Sequence, residues 1–268
     1  MRQKLLRISL AWLLAVLMLT PPLTVPLAAQ SPESSRAQDL YNQGVDLLAQ
    51  GQPAQAVEKF TAAIKLDPTM AEAYLNRGSA ELRLEQYAEA VGDFDKALEL
   101  EPEFPQAYYN RALAYSRSGL YEKAVEDYTQ ALKYAPKDWE IYYNRGNAYL
   151  DLGKSREALK DYDRALKLQP RTPAIFYNRS LAYIHQGNAA QALADADAAL
   201  EIDPHYARAY LSKGRALEKL GHKYEALAAY RQFLKSGNPA TDSELLKRAL
   251  ERIKVLEETK EPQSAASG

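Results

Sequence analysis

The 268-residue chain contains no cysteine. This absence excludes a disulfide framework, a thiolate zinc site, a cysteine nucleophile and a lipid attached through cysteine. Histidine is nearly as scarce, because the chain has three, and none has a second histidine three or four residues away. A pair of metal-binding histidines on one helix is therefore excluded as well.

The sequence motifs that usually carry catalysis are also missing. The chain has no glycine-rich phosphate loop, no nucleophile elbow and no His-Glu zinc motif. The neighbouring acids Glu99 and Glu101 stand two residues apart, a spacing at which helical side chains do not face each other. We therefore expect no enzymatic activity and no cofactor.

Neither sign of charge dominates the chain. The sequence has 34 lysines and arginines against 35 acidic residues, and its body contains no basic run. Nucleic-acid binding depends on such basic patches, so a nucleic-acid partner is disfavoured. The expected partner is another protein.

Long hydrophobic runs are limited to the N-terminus. Basic residues among the first seven precede an uncharged apolar run from Ile8 to Leu19, and small residues follow at Ala28 and Ala29. This order predicts a secretory signal peptide over residues 1–29 and therefore export across a membrane, to a periplasm, a lumen or the outside. The alternative is an uncleaved transmembrane anchor, because about 20 apolar residues span a bilayer. Three prolines in the segment favour cleavage.

A repeat of 34 residues organises the rest of the chain. The period is set by five prolines and six alanines: Pro68, Pro102, Pro136, Pro170, Pro204, Ala56, Ala90, Ala124, Ala158, Ala192 and Ala226. Six units follow without insertion, over residues 37–70, 71–104, 105–138, 139–172, 173–206 and 207–240. A fixed period of this length is the signature of a helical repeat array.

Each unit has the same internal pattern. The fourth and twenty-fourth residues are large and apolar, the eighth is small, and the fifteenth is glycine in every unit except the second, where it is Glu85. Glycine at the fifteenth position predicts a left-handed residue where the first helix ends. Ala196 replaces the large twenty-fourth residue of the fifth unit, and Glu81 replaces the eleventh-position tyrosine found in the third, fourth and fifth units. We expect different packing at these two residues.

This pattern resembles the tetratricopeptide repeat family over residues 37–240. The resemblance implies an all-α fold: a right-handed α-solenoid of antiparallel helix pairs, in which the first helices line a concave groove and the second helices form the convex back. After Pro239, the sequence Thr241-Asp242-Ser243-Glu244 has the form of a capping box and predicts a capping helix over residues 241–258. Residues 30–36 and 259–268 are polar, which predicts a disordered linker and a disordered tail.

In this family the second, fifth, sixth, ninth, twelfth and thirteenth residues of each unit face the groove. Tyrosine recurs at the fifth position and asparagine at the sixth. We therefore predict a peptide-binding groove lined by Tyr41, Asn42, Asn76, Tyr109, Asn110, Tyr143, Asn144, Asn147, Tyr177, Asn178 and Arg208.

The chemistry of asparagine supports this prediction. A carboxamide can donate to and accept from an extended backbone, and helices about 8–10 Å apart would present one asparagine to about every third residue of a bound peptide. The alternative is a structural ladder, in which the asparagines bond between neighbouring helices and touch no ligand.

Arginine at the seventh position belongs to a different pattern. Four units carry both this arginine and an aspartate at the twenty-third position, whereas the first and sixth units lack both. We predict salt bridges within the four middle units because a planar guanidinium suits a bidentate carboxylate. The predicted pairs are Arg77 with Asp93, Arg111 with Asp127, Arg145 with Asp161 and Arg179 with Asp195.

The sequence favours an interaction scaffold or assembly factor that binds an extended peptide or a helix. The site by which related proteins hold acidic chaperone tails is disfavoured, since Tyr143 and Ser212 stand where that site needs cations. One alternative is a structural subunit of a homo-oligomer or envelope complex that uses its convex face or its ends. Another is a non-catalytic subunit of an envelope enzyme or secretion system. A membrane is expected as a partner only if the N-terminal segment stays uncleaved.

Overall fold

The computed structural model describes residues 32–259, which form thirteen α-helices and no β-strand in that range. The signal-peptide prediction for residues 1–29 and most of the predicted tail lie outside the described residues. In chain order the helices are α1 Pro32–Ala49, α2 Pro53–Leu66, α3 Ala71–Arg83, α4 Tyr87–Leu100, α5 Pro105–Arg117, α6 Tyr121–Tyr134, α7 Trp139–Asp151, α8 Ser155–Leu168, α9 Pro173–His185, α10 Ala189–Ile202, α11 Ala207–Lys219, α12 Lys223–Ser236 and α13 Pro239–Glu258.

The helices pack in consecutive pairs, from α1 with α2 through to α11 with α12. Two residues after the end of the first helix of every pair stands a residue with left-handed backbone geometry. These residues are Gly51, Glu85, Gly119, Gly153, Gly187 and Gly221. The left-handed turn predicted at the fifteenth position is thus confirmed, and it is kept at Glu85, where φ is 60° without the conformational freedom of glycine.

The small eighth residue allows the two helices of a pair to approach closely. At Gly146, an added Cβ would lie 2.7 Å from Cε1 of Tyr162, and at Gly44 it would lie 2.6 Å from Cε1 of Phe60. Both aromatic rings are fully buried. The pairing of a small residue with a large ring therefore determines the separation of the helices, since real Cβ atoms cannot approach so closely.

The fifth pair departs from this packing, as expected from Ala196. Its eighth residue is Ser180, whose buried hydroxyl donates to the carbonyl oxygen of Tyr177 over 2.6 Å and shares a hydrogen bond with Ser212 of α11. Two small polar residues at this crossing let α9 pack directly on α11.

The array curves toward its first helices. Helices α1, α3, α5, α7, α9 and α11 each contact the next in the series, whereas the second helices of neighbouring pairs share no comparable contact within residues 32–259. The first helices therefore line the concave side. This arrangement is the right-handed α-solenoid expected from the sequence.

Two predictions about the ends are wrong. Helix α1 begins at Pro32, so residues 32–36 are helical where the sequence predicted a linker, because proline fits the first turn and nothing after it breaks the helix. Helix α13 begins at Pro239, and its N-cap is Asn238, whose Oδ1 accepts from the amide of Ala240 over 2.9 Å. The predicted capping box at Thr241 therefore lies inside the first turns of the helix.

Helix α13 covers the outer side of α12. Its buried residues Ala249 and Ile253 join a core cluster that contains Tyr230 and Phe233 of α12. No helix within residues 32–259 has the length and apolar character needed to cross a bilayer. The alternative of an N-terminal anchor concerns residues outside that range.

Candidate peptide-binding groove

The asparagines of the sixth position form a ladder across the first helices. Three of them donate through Nδ2 to the hydroxyl of the tyrosine at the fifth position of the preceding pair. These bonds run from Asn76 to Tyr41 over 2.8 Å, from Asn144 to Tyr109 over 3.0 Å and from Asn178 to Tyr143 over 2.9 Å. Each asparagine thus joins two neighbouring helices, as the structural alternative requires.

These bonds leave part of each group available. A carboxamide has two N–H donors and an acceptor oxygen, and a tyrosine hydroxyl that accepts a hydrogen bond keeps its own proton to donate. The side-chain oxygens of Asn76, Asn144 and Asn178 accept no hydrogen bond from the described residues. A bound backbone could therefore donate to an asparagine oxygen and accept from a tyrosine hydroxyl.

Asn110 differs from the other rungs of the ladder. Its Nδ2 donates to Oγ of Ser79 over 3.0 Å, and that hydroxyl donates in turn to the carbonyl oxygen of Leu75 over 2.7 Å. The reason lies in the sequence, because the fifth residue of the second unit is Leu75, which has no hydroxyl. Asn110 thus bonds to a serine of the preceding first helix where the tyrosine is missing.

The side-chain oxygen of Asn147 is hydrogen-bonded within the protein. Its Oδ1 accepts from Asn178 over 2.8 Å and from the hydroxyl of the buried Tyr162 over 2.8 Å. Both lone pairs of this oxygen are thus engaged within the protein. Asn147 contributes to the groove as a support for Asn178.

The predicted tyrosines differ in exposure. Tyr109 and Tyr143 are partly buried and pack at tilted angles on Tyr128 and Tyr162, with ring centroids 5.9 and 6.2 Å apart. Burial, followed by nearby carboxylates, raises the pKa of Tyr109 to about 12, so its hydroxyl keeps its proton at neutral pH. Tyr177 is only 7% exposed, and its ring packs edge-on against that of Tyr206. It therefore offers little surface to a ligand.

Asn42 and Arg208, near the two ends of the predicted groove, are less suited to binding a ligand. Within residues 32–259 no helix pair precedes that of Asn42, and its Oδ1 accepts from Gln38 within α1 over 3.1 Å. Arg208 is paired with Asp242 of α13, with 2.8 Å between guanidinium nitrogen and carboxylate oxygen. A ligand carboxylate would have to compete with Asp242 for this arginine.

The four predicted salt bridges are confirmed. In each middle pair, Nε and Nη2 of the arginine bond to the two oxygens of the aspartate at 2.6 to 2.8 Å. The aspartates are buried; Asp161, for example, is 5% exposed. Such a bidentate, partly desolvated pair stabilises the junction of first and second helix.

Each of these arginines also reaches the preceding pair, which the sequence analysis missed. Nη1 donates to the twenty-fifth residue of the preceding unit: Arg77 to Thr61, Arg111 to Asp95, Arg145 to Thr129 and Arg179 to Asp163. Lys213 of the sixth unit pairs with Asp197 at the same position. The recurrence of Thr or Asp in that column was the available signal.

Glu81 makes the second pair differ from the others. It is 8% exposed, and its Oε2 has no hydrogen-bond partner among the described residues. Burial, and then the negative charge of Asp93, raises the pKa of Glu81 to about 7. In the fourth pair the equivalent residue is Tyr149, whose ring lies 5.8 Å from the guanidinium of Arg145. Glu81 replaces that stacking with a carboxyl group.

An open cleft of about 570 Å³ lies on the concave side between α3 and α5. Ser79 and Asn110 form part of its wall, together with Arg83 and Arg117, the thirteenth residues of the second and third units. The thirteenth position was expected to face the groove, but these two arginines were not among the predicted site residues. Their recurrence 34 residues apart was the signal for them.

Comparison with known proteins agrees with this architecture. Family models for the tetratricopeptide repeat match residues 41–108, 143–207, 94–126 and 207–236, and a model described as TPR repeat matches residues 117–153. No curated protein sequence matches the chain.

Several solved structures share the fold at low sequence identity. YrrB, described as a TPR protein with an unusual peptide-binding site, is 24% identical, with a TM-score of 0.61 over 74% of this chain and 99% of that one. For pilF of Pseudomonas aeruginosa the values are 17% identity and a TM-score of 0.68, over 82% of this chain and 98% of that one. MamA of Desulfovibrio magneticus RS-1 is 21% identical, with a TM-score of 0.62 over 66% of this chain and 99% of that one.

The repeat spacing, the paired helices and the matched family models agree across the array. The chain belongs to the tetratricopeptide repeat family.

Proposed function

We propose that this protein is a non-catalytic scaffold or assembly factor that holds an extended segment of another protein along its concave groove. Protein–protein interaction is the general role of tetratricopeptide repeats, and the repeats here occupy most of the chain. The proposal concerns the binding mode, with Asn76, Asn110, Asn144 and the partly exposed tyrosines as the contacts to backbone.

One observation carries this proposal. Along the concave side, Asn76, Asn144 and Asn178 keep their carboxamide oxygens outside the protein's own hydrogen bonds. Their partners Tyr41, Tyr109 and Tyr143 accept and therefore keep their hydroxyl protons to donate. Neighbouring packed helices lie about 8–10 Å apart, and three residues of an extended chain cover about 10 Å. A peptide backbone can thus meet a carboxamide on successive helices from α3 to α9 without a particular side-chain sequence.

The test is selection of random 12-residue peptides displayed on phage, followed by affinity measurement with fluorescein-labelled copies of the selected peptides. We expect Asn110→Ala with Asn144→Ala to weaken binding at least about tenfold, which corresponds to about 1.4 kcal/mol. The control is Lys160→Ala on α8, an exposed residue of a second helix. Circular dichroism of each variant separates loss of binding from loss of folding. Unchanged affinity in the folded double variant contradicts the proposal.

A structural role is the second candidate, and the ladder itself favours it. Each asparagine already uses an N–H group to join neighbouring helices. In this case the groove stays empty, and the convex face or the ends build a homo-oligomer or an envelope complex. Sedimentation equilibrium discriminates the two: a mass above that of the monomer, with no peptide selected, supports the structural role.

We also propose that the protein acts after export. The support is the order of basic, apolar and small residues in segment 1–29. N-terminal sequencing of protein from the exported fraction should give a chain that begins at Gln30. A chain that starts at Met1 and sediments with membranes supports the uncleaved anchor instead.

A further inference from the structure

The cleft between α3 and α5 coincides with the most irregular unit of the array. The second unit has Leu75 where four other units have tyrosine, Glu81 where three have tyrosine, and Glu85 where five have glycine. Because Leu75 lacks a hydroxyl, Asn110 donates its hydrogen bond to Ser79 instead. Asn110 and Ser79 both line the cleft. Glu85 lines it as well, with the left-handed backbone that side chains rarely adopt. Such strain is often found at functional sites.

Positive charge in this cleft is incompletely neutralised. Arg83 and Arg117 are exposed, and neither has a carboxylate within 4.0 Å among the described residues. Nη1 of Arg83 donates to the carbonyl oxygen of Leu48 at the end of α1 over 3.0 Å, which fixes the guanidinium at the groove while leaving other N–H groups free. Glu85 is the one acidic residue among those lining the cleft. The cleft thus carries two cations against one anion.

The chemistry around these arginines suits one kind of group. A guanidinium binds a carboxylate through parallel, charge-assisted hydrogen bonds, which are stronger than neutral ones. Leu82 and Leu113 supply apolar wall for the methylene groups of an acidic side chain, and Asn110 keeps an N–H and its oxygen for the adjacent backbone. The positive, partly apolar cleft and the free carboxamide thus lie side by side.

The geometry points to a subsite that binds the aspartate or glutamate side chain of an extended partner segment, with Arg83 and Arg117 as the carboxylate-binding residues. This inference rests on the proposed function, because the segment must lie in the same groove. It names the class of partner: an extended segment with an acidic side chain where it crosses α3 and α5.

The test uses the 12-residue peptides selected on the wild-type protein, synthesised with amidated C-termini and fluorescein labels. Each peptide is paired with a copy in which its acidic residues are replaced by Gln or Asn. The protein variants are Arg117→Gln, Arg83→Gln and, as control, Arg156→Gln on α8, an exposed residue outside the groove. Arg117→Gln is the decisive variant, since Arg117 forms no ion pair within residues 32–259, whereas Arg83 also supports the end of α1.

We expect acidic residues to be enriched among the selected peptides and Arg117→Gln to bind them about tenfold more weakly than the wild type or Arg156→Gln. The Gln and Asn copies should lose at least the same factor on the wild type and clearly less on Arg117→Gln, where only Arg83 is left to bind the carboxylate. Equal binding by Arg117→Gln overturns the subsite while leaving the groove proposal intact. If copies with a free C-terminus bind and the amidated peptides do not, the carboxylate belongs to a chain end, and this result also overturns the subsite. Failure to select any peptide overturns both proposals.

Discussion

Replacement of Arg145 by glutamine should destabilise the protein more than any exposed arginine replacement. Nε and Nη2 of Arg145 each bond over 2.7 Å to Asp161, which is 5% exposed, and Nη1 bonds over 2.9 Å to Thr129 of the preceding unit. Without the guanidinium, a buried carboxylate is left unpaired. Removal of one partner of a buried pair costs about 3–5 kcal/mol. Because Arg145 is partly exposed and water can reach the site, we expect about 3 kcal/mol.

The assay is urea unfolding followed by circular dichroism at pH 7, with Arg156→Gln as the exposed control. Arg145→Gln should lower the free energy of unfolding by about 3 kcal/mol, and the control by less than about 0.5 kcal/mol. Asp161→Asn combined with Arg145→Gln should cost clearly less than the sum of the two single changes, because the double variant leaves no buried charge. A loss below about 1 kcal/mol for Arg145→Gln, or simple additivity, would refute the assignment of the pair.

Three further predictions follow from the packing. The folded state raises the pKa of Glu81 from its ordinary value of 4.5 to about 7, so the contribution of Glu81 to stability is greatest below pH 4.5 and is lost as the pH rises through 7. Glu81→Gln should therefore match the wild type at pH 4 and exceed it at pH 8 by up to about 3 kcal/mol, measured by urea unfolding at both values; an equal difference at both would contradict the shift. Glu85→Gly should raise the free energy of unfolding by about 0.5–1 kcal/mol through relief of the φ of 60°, and a loss on thermal unfolding would show that the side chain outweighs the strain. Gly146→Val should cost about 3 kcal/mol or more, because even a Cβ there lies 2.7 Å from Tyr162, whereas Gly92→Val, with open space around it, should cost about 1 kcal/mol or less.

The repeated features were predictable because six units in one chain serve as comparisons with each other. Arginine at the seventh position and aspartate at the twenty-third occur together in the four middle units, so their pairing could be predicted before any geometry was known. The left-handed fifteenth residue followed from glycine in the same way. These interactions recur with the same spacing, so the residues that form them recur at the same positions of the units and can be recognised in the sequence.

The exceptions were harder to predict. The start of α13 depends on Asn238 before Pro239, and the similar-looking Thr241 motif competes with it in the sequence. The Nη1 hydrogen bond of each arginine reaches the twenty-fifth residue of the preceding unit. That residue is threonine in some units and aspartate in others, so no single residue type marks the position. The cleft between α3 and α5 is lined by residues from three helices, and which of their side chains meet there depends on side-chain geometry. The burial of Tyr177 likewise depends on Tyr206, a residue close in space and distant in the repeat pattern.

Site-specific photo-crosslinking shows directly whether a bound peptide lies in the concave groove. A benzophenone amino acid placed at Leu113 on the concave side should crosslink a selected fluorescein-labelled peptide, and the same amino acid at Lys160 on α8 should not. We expect excess unlabelled peptide to abolish the crosslink at Leu113. Crosslinking at Lys160 but not at Leu113, with a peptide that binds the wild type, would show that the partner lies outside the groove.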